Sequence, residues 1–167
     1  MTGFRQQAAE GLQAGDAFSI SRTFTEDDVV LFARISRDYN PVHFDADFAR
    51  ARNLAEPICH GLLTASLVTE IGGQIGWLAS GMNFRFKRPV YIGEVITCNW
   101  VITDIDQNSR AKASVTITNG DGVTVLEAEI SGIVPGLEER KILSKMLSEG
   151  DPTNGVTLRS REPAQHP

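Results

Sequence analysis

Asp38 and His43 stand five positions apart in the stretch Asp38-Tyr39-Asn40-Pro41-Val42-His43. A carboxylate and a neutral imidazole that share one water can take a proton from it and deliver a proton elsewhere, as the addition of water to a polarised double bond, or its reversal, requires. Pro41 fixes its own φ and biases Asn40 away from the helical region, so the chain must turn between the two residues. Turned this way, both side chains can reach the same water.

The elements around this segment follow from hydropathy patterning. Alternation over Phe18–Phe24 predicts a first strand after the Gly15-Asp16 turn. Thr25 with Asp28 three positions on has the form of a capping box, and Val29, Phe32, Ala33 and Ser36 share one face of a helix ending near Asp38. Asp45 can cap a short helix through Arg52. A third helix, from about Leu62 to Ile75, is apolar over most of its circumference and must be buried on nearly all sides. Four strand-like runs then follow, Met82–Val90, Glu94–Thr103, Arg110–Thr118 and Val123–Val134, joined by turn chemistry at Gly93, Asp106-Gln107-Asn108 and Asn119-Gly120-Asp121-Gly122. The order implies an α+β fold in which a five-stranded antiparallel sheet wraps around a long central helix, with a separate helical segment carrying the Asp38 motif. Residues 1–16 read as an N-terminal extension, 17–134 as the domain, and 135–167 as an amphipathic helix, Leu137 to Leu147, followed by a loosely held tail.

Bulk properties narrow the function classes. With 167 residues, 41% of them hydrophobic, the chain supports one core. A net charge of -5 argues against a nucleic-acid footprint. Cys59 and Cys98 form no metal-chelating pair and read as buried thiols, and no metal site is expected. Neither a signal peptide nor a membrane span is evident, which predicts a cytoplasmic protein without a membrane partner.

Three blocks carry a resemblance: Ile35–His43 with Ala49 six residues on, Pro57-Ile58-Cys59-His60-Gly61-Leu62-Leu63, and Phe84–Glu94. Together they resemble the MaoC-like (R)-specific enoyl-CoA hydratases over roughly residues 17–134. The one departure is Arg37, where the family often has glycine before the aspartate. The resemblance implies a hot-dog fold, assembly as a homodimer or higher oligomer, and a trans-2-enoyl thioester of CoA or acyl-carrier protein as substrate, with no cofactor. It assigns water activation to Asp38 and His43, with Asn40 in support, and the oxyanion donor to the backbone N–H of Gly61. A helix N-terminus makes physical sense there, since its N–H groups are unpaired and its dipole favours negative charge. Thr69 matches the place of a supporting hydroxyl near the acid, although a threonine in a helix can equally bond a carbonyl one turn back. Arg85, Lys87 and Arg88 cluster in an acidic chain and suit CoA phosphates, or else form a solvated strand face. His60 reads as structural. Two rival functions share the fold: an acyl-CoA thioesterase, and a non-catalytic subunit of a heteromeric dehydratase.

Overall fold

The computed structural model describes residues 2–151 and Thr153. Five α-helices and five strands follow in order along the described residues: α1 (Thr2–Glu10), β1 (Ala17–Thr23), α2 (Glu26–Ser36), α3 (Ala46–Ala51), α4 (Gly61–Gln74), β2 (Leu78–Phe86), β3 (Val95–Ile105), β4 (Arg110–Asn119), β5 (Thr124–Ile133) and α5 (Leu137–Glu149). The strands form one antiparallel sheet in the order β1-β3-β4-β5-β2. Its inner face follows the period of two: Ile96, Cys98, Trp100 and Ile102 of β3 are all fully buried, and Cys98 and Trp100 lie opposite Ile117 and Val115 of β4. Against this face lies α4, whose Leu67, Val68 and Ile71 are at most 1% exposed. Burying such a side chain contributes about 1.5–3 kcal/mol, and the sheet curls round the helix to do so. This is the α+β, hot-dog arrangement.

One strand lies elsewhere than the sequence suggests. The segment expected over Met82–Val90 runs from Leu78 to Phe86. Gly81, which reads as a turn, marks a bulge: the register with β5 slips between Ala79 and Gly81, and a side chain there would press to 2.8 Å from the Ser131 hydroxyl. At the other end the Lys87 and Arg88 N–H groups both turn to the Val125 carbonyl, and Pro89 has no N–H to continue the ladder.

Residues 2–10 are more than an extension. Ala8 is fully buried, and α1 lies against α5 across the C-terminal end of α4. Arg5, 6% exposed, donates from Nε to the Gln74 carbonyl (3.1 Å) and from Nη2 to the Gly73 carbonyl (3.2 Å), and pairs through Nη1 with Asp151 at 2.5 Å. Arg140 in turn bonds the Ala9 and Glu10 carbonyls at the end of α1. The loosely held tail expected after residue 149 lies, apart from residues 150, 151 and 153, outside the described residues. No helix among the described residues is long and apolar enough to cross a membrane.

Candidate active site

The sequence stops α2 abruptly and then builds a rigid turn. Thr25 opens the helix with the capping box, its hydroxyl accepting the Asp28 N–H and its own N–H bonding Asp28 Oδ2 (2.8 Å). Arg37 ends it in the left-handed region at φ 64°, donating its N–H to the Ala33 carbonyl. That conformation explains why glycine suits the position, and Arg37 adopts it at a steric cost of about 1 kcal/mol. Two Asx turns follow in succession. Asp38 Oδ1 accepts the Asn40 N–H and Asn40 Oδ1 accepts the Val42 N–H, each at 3.2 Å. Pro41 then starts the single 3₁₀ turn that delivers His43.

Only one oxygen of Asp38 is engaged by this turn, and the other, Oδ2, stands 3.8 Å from His43 Nε2. The separation is too long for a direct hydrogen bond and suits a bridging water. His43 is 7% exposed, and its Nδ1 lies 2.8 Å from the Ile58 carbonyl. Since a carbonyl only accepts, Nδ1 carries the proton, and Nε2 keeps the lone pair facing Asp38. The loop supplying Ile58 is pinned by its own N–H on the Val42 carbonyl and by the Cys59 N–H on the Val90 carbonyl. Burial pushes the His43 imidazole below the usual 6.5, and the adjacent His60 adds to that, outweighing the opposing effects of the Ile58 carbonyl and Asp38. The group is therefore a neutral base at physiological pH.

His60 is structural, as its place at the helix entry suggests. It is 1% exposed, its ring stacks on His43 at 3.8 Å and 28°, and its Nε2 bonds the Asp38 carbonyl at 3.0 Å. It thus fixes the backbone of the acid and the ring plane of the base together. Asp38, His43 and His60 bring potential metal-ligand atoms within 4.8 Å of one another. One nitrogen of each ring is already engaged by a backbone carbonyl, His43 Nδ1 by Ile58 and His60 Nε2 by Asp38.

Gly61 is the first residue of α4, and no side chain caps that helix. Its N–H is one of the helix-initial donors that have no intrahelical acceptor. Gly61 borders a cavity of about 360 Å³ together with His43, Ile58, Cys59, Thr64 and Phe86. A β-carbon at Gly61 would come within 2.9 Å of the Phe86 ring, whose exposed end would have to move aside, and glycine leaves the backbone open to a close approach. Cys59, in the same wall, is a buried free thiol pushed up to about 11 by desolvation.

The model of the MaoC like domain family matches residues 9–124. The chain belongs to the MaoC-like domain family. An (R)-specific enoyl-CoA hydratase of Aeromonas caviae is 32% identical over 124 residues, covering 71% of this chain and 92% of that protein. A mitochondrial 3-hydroxyacyl-[acyl-carrier-protein] dehydratase of Solanum lycopersicum is 32% identical over 131 residues, covering 75% and 79%. The solved (R)-hydratase from A. caviae involved in PHA biosynthesis superposes with a TM-score of 0.71 at 30% identity, covering 75% of this chain and 99% of that one.

In this MaoC-like chain His43, Gly61, Lys87 and Arg88 line one cavity, with Lys87 paired to Glu127 at 3.0 Å; Asp38 stands beside it through His43 and His60, and neither Asp38 nor Asn40 is part of that lining. Two expected residues stand apart. Thr69 is exposed and donates its hydroxyl to the Ser66 carbonyl at 2.7 Å, the helical back-bond, and does not line the cavity. Arg85 lies on the open face of the sheet beside Asn83, Ser114 and Glu127. Sequence reasoning missed Thr64, whose only signal is being polar at a buried position of an apolar helix.

Proposed function

We propose that this chain catalyses the (R)-specific hydration of trans-2-enoyl-CoA to (R)-3-hydroxyacyl-CoA, or the reverse dehydration, with Asp38 and His43 activating the water. The observation that carries the reading is the 3.8 Å gap between Asp38 Oδ2 and a His43 Nε2 whose proton sits on the other ring nitrogen. A water in that gap gives one proton to Nε2 while its oxygen attacks the β-carbon. The alkene electron pair moves toward the thioester oxygen, held by the Gly61 N–H. As it returns, the α-carbon takes a proton from the same pair, and no cofactor is consumed. Each of the two proton transfers by a positioned group is worth about 10²–10⁴ in rate, and an oxyanion donor about 3–4 kcal/mol of barrier.

Lys87 and Arg88 at the cavity edge suit the phosphates of a CoA thioester, and an acyl-carrier thioester, such as the tomato relative's name specifies, would enter by the same opening. A homodimer or higher oligomer is supported by the sheet's two free edges: β2 exposes Leu78, Met82 and Phe86 along one of them. A cytoplasmic setting fits two unpaired buried cysteines.

Purified protein with crotonyl-CoA tests the function. Expected are loss of the enoyl thioester absorbance, (R)-3-hydroxybutyryl-CoA on chiral analysis, and no free thiol; thiol release instead would establish the thioesterase. Because His43 works neutral and its imidazole lies low, kcat/KM should hold steady as pH falls to 6.5 and drop only below it. An acid limb above pH 7 would remove His43 as the base.

A further inference from the structure

Three hydroxyls lie along α4, and they differ in what they bond. Ser66 donates to the Leu63 carbonyl at 2.6 Å and Thr69 to the Ser66 carbonyl at 2.7 Å, each satisfied by its own helix. Thr64 is 3% exposed and lines the cavity with His43 and Gly61, yet its hydroxyl has no hydrogen-bond partner among the described residues. A hydroxyl left unpaired on the wall of a cavity, on a residue otherwise buried, is a donor open to an occupant.

Its direction follows from helix geometry. Side chains slant toward the helix N-terminus, so a residue covers the turn before its own Cα. Three positions before Thr64 stands Gly61, which has no side chain to intervene. The Thr64 hydroxyl and the Gly61 N–H therefore serve neighbouring points of one cavity. We propose that Thr64 Oγ donates a second hydrogen bond to the thioester oxygen, completing with the Gly61 N–H a two-donor oxyanion site. The threonine keeps its proton throughout; it stabilises the negative charge that the oxygen gains as the attacking water's electrons enter the β-carbon. The assignment rests on the hydratase reading and adds a catalytic residue to it.

Thr64→Val removes the hydroxyl at nearly constant volume, and Thr64→Ser keeps it. With crotonyl-CoA, Thr64→Val should lose about 10- to 100-fold in kcat with KM changed by less than about threefold, while Thr64→Ser stays within about threefold of the native protein. Should the valine variant fail to fold, Thr64→Ala reads the same loss. In parallel, the carbonyl stretch of bound butyryl-CoA should lie at lower frequency in the native protein than in the variant lacking the hydroxyl. Equal frequencies, a Thr64→Val kcat within twofold of native, or equal losses in the valine and serine variants would each overturn the proposal. Because the frequency comparison needs only binding, it separates failure of the Thr64 assignment from failure of the hydratase reading, which shows as a native protein inert on crotonyl-CoA.

Discussion

The two ends of α4 are finished in opposite ways. At the C-terminal end Arg5 supplies a guanidinium to the last carbonyls, Gly73 and Gln74, and α1 and α5 close over it. Positive charge meets the negative end of the helix dipole, and the backbone groups are satisfied. At the N-terminal end nothing caps the helix, an acid with a half-exposed side chain stands near a buried neutral base, and a hydroxyl is left unpaired. One end invests in stability and the other withholds it, leaving its donors for a ligand. Unpaired polar groups are tolerated where they have a use, and this helix shows both outcomes within 14 residues.

Separating the ends by mutation tests that contrast. At the open end, Asp38→Asn or His43→Gln should each lower kcat about 10²- to 10⁴-fold and shift the melting temperature by no more than a degree or two. Steady-state rates beside thermal melting decide it; a variant that keeps its rate, or melts far earlier, would break the division. At the closed end, Arg5→Met should behave inversely, losing about 3 kcal/mol of unfolding free energy as the buried Arg5–Asp151 ion pair and two hydrogen bonds to α4 carbonyls go. Below its melting temperature kcat should match the native value. The smallest effect is expected at the junction: Arg37→Gly relieves a left-handed side chain and should gain about 0.5–1 kcal/mol in denaturant unfolding, with kcat unchanged.

The open end was legible in the sequence because it is made locally. Asp38, Asn40 and Pro41 are turn-forming types that act on their own neighbours, so their backbone path follows from residue identity, and Gly61 begins an unmistakably apolar helix. The closed end was not. Nothing in Thr2–Glu10 says that Arg5 reaches Asp151, 146 positions away, and the helix acquires its role only by long-range contact. Thr69 stayed open between two readings because a hydroxyl on a helix looks the same in sequence whether it faces a cavity or its own backbone, and it takes the second; Thr64 was passed over for the same reason. Arg85 was grouped with Lys87 and Arg88 by proximity, but β2 ends at Phe86: Arg85 stays on the sheet face beside Glu127, Lys87 borders the cavity while pairing with that same Glu127, and Arg88 borders the cavity.

Cys59 acquires a further meaning from where it stands. On the proposed function, the cavity it lines receives an electron-poor alkene, the kind of molecule that captures thiolates. Burial pushes its pKa up to about 11, so Cys59 stands as the thiol at neutral pH. On that same function, a sulfur held as the thiol beside an electrophilic substrate would compete little with the water proposed to sit between Asp38 and His43.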